Sequence, residues 1–102
     1  MKMLSERLKV LADPSRLNIL EFLLNPIKSY CSKEEGVCAC DLETFLGLKQ
    51  STISHHMKLL EQAGFVKASP SGRWVLYELL PEGFKELREA LEKFEPNMEI
   101  VS

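Results

Sequence analysis

Residues 41–60, Asp41-Leu42-Glu43-Thr44-Phe45-Leu46-Gly47-Leu48-Lys49-Gln50-Ser51-Thr52-Ile53-Ser54-His55-His56-Met57-Lys58-Leu59-Leu60, decide the fold. Asp41 to Leu46 reads as one short helix, and Gly47 breaks it because glycine tolerates positive φ. A second helix begins near Gln50-Ser51. Ile53, Met57, Leu60 and Gly64 recur on its inward side at helical spacing. Two helices joined by a tight glycine-bearing turn make a helix-turn-helix.

Downstream the period changes. Phe65–Ser69 and Arg73–Leu80 are β-rich runs separated by Pro70-Ser71-Gly72, a hairpin signal. A last helix carries Phe84, Leu87, Leu91 and Phe94 on one stripe. Upstream, Leu4, Leu8 and Leu11 make a short amphipathic first helix. Asp13-Pro14 then supplies an N-cap and a proline at the first helical position. The helix that follows runs to about Leu24, with Leu17, Leu20 and Leu24 on one face, and Asn25-Pro26 stops it. Residues 27–37 are polar, lack a period and read as a loop. The expected fold is mainly α with a β-hairpin wing: a winged helix-turn-helix, one domain across residues 1–102, working as a dimer.

The totals fit this reading. At 102 residues, 45% hydrophobic and 27% charged, the chain is an ordinary small globular domain. So short a domain buries little of its surface alone, and sharing a core with a second copy would help. No signal peptide or membrane-length apolar run is visible, so a cytoplasmic protein without a membrane partner is expected. The net charge of −2 argues against nucleic acid only on average. Between Lys49 and Arg73 stand Lys49, Lys58, Lys67 and Arg73 against Glu61 alone, whereas Glu82 to Glu95 is acidic.

The candidate DNA face lies opposite Ile53, Met57 and Leu60. Ser51, Ser54, His55 and Lys58, with Gln50 at the helix start, are short hydrogen-bonding groups and one cation at i, i+3, i+4 and i+7. Such groups reach base edges and phosphates without long, disordered side chains. Thr52 and His56 of the same helix, and Arg73 at the wing, complete the candidate set for double-stranded DNA. Trp74 and Tyr77 are expected to pack the wing onto the domain rather than to stack on bases. Carboxylates and a histidine do not converge on any pocket the pattern suggests, so an enzyme is not expected.

Residues 41–66, together with Leu11-Ala12-Asp13-Pro14-Ser15-Arg16-Leu17, closely resemble the ArsR/SmtB family of metal-responsive repressors. The resemblance covers nearly the whole chain. It implies a winged-helix homodimer with the first and last helices at the interface, which points to Leu4, Leu8, Leu11, Phe84, Leu87, Leu91 and Phe94. It also implies a repressor that leaves a palindromic operator when inducer binds, and it puts Gln50, Ser51, Ser54 and His55 at the recognition positions.

Cys38-Ala39-Cys40-Asp41-Leu42 resembles the metal-binding box of the family's arsenic and cadmium/lead sensors, commonly written ELCVCDL. Gly36-Val37 replaces the leading Glu-Leu, and Glu43 stands where some arsenic sensors carry another cysteine. Cys31 is the candidate third thiolate, reaching the pair within one subunit or across to the other. Thiolates select soft ions such as As(III), Sb(III), Cd(II) or Pb(II). Three thiolates suit pyramidal As(III), whereas closed zinc sites take four ligands. The last helix contains no histidine, so the family's other zinc site is not expected. As(III) or Sb(III) is the expected inducer, Cd(II)/Pb(II) the alternative, and no organic cofactor is expected. A thiol redox switch on the same cysteines is a further alternative. On a regular helix, residues two apart point about 200° away from each other. Cys38 and Cys40 therefore share an ion only if the helix start is non-helical or unwinds.

Overall fold

The computed structural model describes residues 3–25 and 37–95. Its elements are α1 (Leu4–Leu11), α2 (Pro14–Leu24), β1 (Val37–Cys38), α3 (Ala39–Leu46), α4 (Gln50–Gln62), β2 (Val66–Ser71), β3 (Trp74–Leu79) and α5 (Pro81–Glu92). The winged helix-turn-helix order is as expected. Cys31 and the rest of the segment read as a loop before Val37 lie outside the described residues.

Local chemistry places the boundaries. The Asp13 side chain accepts the Arg16 N–H at 3.1 Å, and Pro14 takes the first helical position of α2. Gly47 ends α3 in the left-handed region at φ 69°, which turns the chain between the two helices. Gly72 does the same at the tip of the β2–β3 hairpin, at φ 61°. β2 runs on through Pro70 to Ser71, beyond the expected end at Ser69. β2 is the edge of a sheet ordered β1-β3-β2, and an edge strand tolerates a residue that lacks an N–H.

Ile19, Leu42, Ile53, Leu60, Phe65 and Val66 are fully enclosed at the centre of the core. α4 buries Ile53, Met57 and Leu60 as its spacing predicts. Two ring pairs close the ends of this core. Phe22 of α2 stacks on Phe45 of α3 at 5.4 Å between centroids, and Phe65 meets Phe84 of α5 at 4.7 Å.

α2 departs from expectation. Its buried residues are Ile19, Leu20, Phe22 and Leu23, while Leu17 and Leu24 are exposed. This helix is apolar on more than one side, so periodicity alone leaves its inward stripe undetermined. The two-residue β1 is also unanticipated. It adds antiparallel to β3, with Val37 opposite Tyr77 and Cys38 opposite Leu76. Trp74 and Tyr77 are half-buried, in line with a packing role in the wing. No helix among the described residues is long and apolar enough to cross a membrane.

Two long-range ties hold α5. The Leu80 N–H donates to the Phe65 carbonyl at 2.9 Å, and Arg7 Nη2 of α1 donates to Glu86 Oε1 at 2.7 Å. Between them α5 crosses the Gly64–Phe65 backbone so closely that a Cβ at Gly83 would fall on the Gly64 carbonyl. Backbone yields less readily than a side chain. Gly83→Ala is therefore expected to lower the unfolding free energy by about 1–3 kcal/mol, as overpacking does. Urea unfolding reads this as a lower midpoint at unchanged m, and an unchanged midpoint would contradict the close crossing.

Candidate nucleic-acid interface and metal centre

α4 offers two faces set by its 3.6-residue period. With Ile53, Met57 and Leu60 buried, the opposite side presents Gln50, Ser51, Ser54, His55 and Lys58 to solvent. Thr52 is half-buried at the edge of this face. The first turn holds no acidic residue and Lys49 supplies no side-chain cap, so the positive end of the helix is left uncompensated. Lys49, Lys67 and Arg73 are exposed as well. At the hairpin tip the Arg73 guanidinium lies over the Trp74 ring, 5.6 Å from its centroid. The arrangement is a polar, cation-bearing helix face with a basic hairpin beside it.

His56 does not share that face. It is 8% exposed, and its Nδ1 accepts a hydrogen bond from Arg16 Nε at 3.0 Å. Its place among the DNA-contacting residues is therefore corrected: His56 faces α2. His56 was grouped with its neighbour His55, yet it stands three residues after Ile53 and four before Leu60, at the edge of the inward stripe. The polar partner that makes its burial tolerable is 40 residues away.

The cysteine box folds into a junction. Cys38 is the last residue of β1 and the N-cap of α3, with extended backbone at φ −96° and ψ 167°. Cys40 lies in the first turn of α3. The helix thus begins at Ala39, two residues before the expected Asp41, and Cys38 is already outside it. Cys38 thus has the non-helical position that is the first of the two conditions named above. The sulfurs lie 2.7 Å apart. Asp41 completes the cluster: its Oδ2 accepts the Cys38 N–H at 3.1 Å and the Cys38 thiol at 3.4 Å. The Asp41 N–H in turn faces the Cys38 sulfur, closing a reciprocal capping box. The ligand atoms of Cys38, Cys40 and Asp41 all lie within 4.8 Å of one another, the one such group among the described residues.

Cys38 is 1% exposed and Asp41 is equally enclosed, while Cys40 is half-buried. Burial pushes the Cys38 thiol up from its ordinary value. The Asp41 N–H pulls it down, and the Asp41 carboxylate, as acceptor and as negative charge, pushes it up again. Two sulfur donors at one helix start, one of them enclosed, suit a soft, thiophilic ion. Asp41 was missed as part of the cluster, although a capping residue followed three positions later by an acid is a recognisable helix-start signal.

Of the residues expected at a subunit interface, Leu8, Leu91 and Phe94 are exposed and Leu4, Leu11 and Phe84 are half-buried. Leu87 is 8% exposed and belongs to the chain's own core. Leu17 and Leu24 add apolar surface that was not anticipated.

Residues 13–68 match the model of the arsR family of bacterial regulatory proteins. A sequence from Methanocaldococcus jannaschii, an uncharacterized HTH-type transcriptional regulator, is 35% identical over 81% of this chain and 84% of its own length. The arsenical resistance operon repressor of Staphylococcus xylosus is 42% identical over 76% of this chain and 66% of its own. A cadmium resistance transcriptional regulatory protein homolog of Staphylococcus aureus is 33% identical over 79% and 60%. A crystal structure titled as a possible transcriptional regulator for arsenical resistance superposes with a TM-score of 0.69 at 27% identity, covering 87% of this chain and 83% of that one. A homodimeric winged helix-turn-helix DNA-binding domain from Mycobacterium bovis shares the fold, with a TM-score of 0.63 at 22% identity over 91% and 78%.

The capping box can be tested without any ligand. Asp41→Ala leaves the Cys38 N–H buried without its acceptor and is expected to cost about 1–3 kcal/mol. Asp41→Asn keeps an acceptor oxygen and should cost less. Urea unfolding of the two variants checks the order. Cys38 should also be alkylated by iodoacetamide with a pH midpoint above that of a cysteine in a short peptide, since burial favours the thiol.

Proposed function

The chain belongs to the arsR family of bacterial regulatory proteins, a DNA-binding transcriptional repressor rather than an enzyme, and on that premise we propose that it is released from its operator by As(III) or Sb(III) held on cysteine thiolates. The observation that carries this reading is the pair of sulfurs 2.7 Å apart where β1 becomes α3. Cys31 supplies the third thiolate in the proposal. Trigonal thiolate coordination is what separates a metalloid from the four-ligand closed zinc site. The arsenical resistance repressor among the relatives supports the same ligand class.

Gln50, Ser51, Thr52, Ser54 and His55 read the operator in this proposal, while Lys58 and Arg73 neutralise phosphate. The operator is palindromic and its reader a homodimer built on α1 and α5, where Leu8, Leu91 and Phe94 are exposed in the isolated chain. Leu4, Leu11 and Phe84 flank that surface, and Leu87 supports it from the core. Induction works through Cys38. To turn toward a shared ligand, this residue loosens the Asp41 cap and with it the start of α3. It also disturbs the pairing with Leu76 on β3, and so the wing. Both halves of the DNA-binding surface are thereby biased toward a geometry that binds the operator less well. The coupling is reciprocal, so bound DNA weakens inducer binding by the same factor.

A second reading takes Cd(II) or Pb(II) as inducer. The carboxylate of Asp41 beside the two sulfurs and the cadmium-resistance relative favour it.

Fluorescence anisotropy on DNA from upstream of its own gene, in reducing buffer, separates these readings. Release by As(III) and not by Cd(II), lost in Cys38→Ser while DNA binding persists, is the expected result. Release by Cd(II) alone moves the site to the second reading. Release by peroxide alone makes it a thiol switch. In the same assay Lys58→Ala should weaken all DNA alike and reduce the slope of log K against log salt by about 0.9 for each phosphate left without its cation.

A further inference from the structure

We propose that Arg16 is a positioning residue for the reading helix, that it acts through a neutral His56, and that DNA affinity therefore falls when His56 takes up a proton.

The geometry joins three helices at one guanidinium. Arg16 stands in the first turn of α2, where the Asp13 side chain accepts its backbone N–H. Its side chain donates from Nη1 to the Val10 carbonyl of α1 at 3.2 Å and from Nε to His56 Nδ1 of α4 at 3.0 Å. Val10 and Asp13 thus hold the donor in place, and the donor holds the middle of α4. His55, the residue before His56, is on the exposed face, with its ring centroid 5.9 Å from that of His56. A rotation of α4 about its axis that released His56 would move His55, Ser51 and Ser54 together.

The direction of the hydrogen bond settles the ring's protonation. A guanidinium has five N–H donors, no acceptor, and keeps its charge throughout the ordinary pH range. His56 Nδ1 must therefore offer its lone pair, which leaves the ring proton on Nε2. A second proton at Nδ1 sets donor against donor and cation against cation. The charged groups facing the ring are Asp13 and Arg16 of the α2 start and His55 of its own helix. Burial favours the neutral ring most strongly. Arg16 and His55 push the same way, and Asp13 opposes them. The sign follows. A histidine held below its ordinary pKa of 6.5 contributes its full stabilisation above that pH, and the contribution is lost as pH falls through the window beneath it. Exposed histidines near DNA act in the opposite sense, since their protonation adds positive charge toward phosphate.

The test uses the full-length reduced protein, without added metal, on a duplex that the wild type selects from a random pool at about pH 7.5, above the histidine range. Anisotropy then gives Kd at constant ionic strength down to about pH 5.5, with circular dichroism at each pH to follow folding. Wild-type affinity should fall as pH drops below the ordinary histidine value, by up to about tenfold per pH unit for each protomer that must lose a proton. His56→Asn places an amide oxygen near the Nδ1 position. It should restore binding at acid pH to within about threefold of its neutral value, because an amide does not titrate in this range. Arg16→Met should lower affinity at neutral pH and flatten the acid loss. Long-range nitrogen–proton NMR of the imidazole should report the Nε2–H tautomer in the free protein. A ring protonated on Nδ1, or an acid response the same in wild type and His56→Asn, overturns the proposal. Because no inducer is present, either result leaves the metalloid reading untouched.

Discussion

Cys38 has to satisfy two structures at once. It is the last residue of the strand that pairs with β3 and the residue from which the N-terminus of α3 is capped. An N-cap must have non-helical backbone, and an edge strand demands extended backbone, so one conformation meets both needs. Asp41 makes that conformation durable by accepting the Cys38 N–H inside a nearly dry environment. The rest follows from where this junction sits. It fixes the start of α3, α3 packs on α4 across the Gly47 turn, and β3 carries the wing.

The same junction explains how two sulfurs two residues apart come to face each other. Inside a helix they would diverge. With Cys38 outside the helix and Cys40 within its first turn, the backbone bends between them and the sulfurs converge. The two sulfurs and the Asp41 carboxylate are therefore already gathered in the resting fold. The hydrogen bonds at this helix start involve the same residue that pairs with the strand leading to the wing.

α4 shows a second shared constraint. Its apolar stripe docks it on the core, but a stripe leaves rotation about the axis softly determined. The hydrogen bond from Arg16 to His56 adds a directional polar contact at the edge of that stripe. At the far end of the core, α5 is pressed onto the Gly64–Phe65 backbone and pinned to α1 by Arg7 and Glu86. Arg7 is enclosed but its Nε finds no acceptor among the described residues, while Glu86 is 43% exposed. A pair open to solvent on one side adds little net stability.

The order of elements, the Gly47 and hairpin turns, the buried stripe of α4 and the exposed Gln50, Ser51, Ser54, His55 and Lys58 were all legible in the sequence. Each rests on local periodicity or on backbone chemistry within a few residues. The cysteine box was legible as a pattern, but its geometry was not. Whether Cys38 lies inside or outside the helix depends on β1 pairing with β3, where its partner Leu76 stands far along the chain. The inward side of α2 was not legible either, because apolar residues surround it and only its neighbours select Ile19 and Phe22 over Leu17 and Leu24. His56 is an intermediate case. Its spacing from Ile53 and Leu60 sets it at the edge of the inward stripe, but only a hydrogen-bond donor from another helix makes its burial tolerable. Local interactions determine which elements form, and tertiary contacts decide which of two tolerable faces each presents, since only they supply partners for buried polar groups.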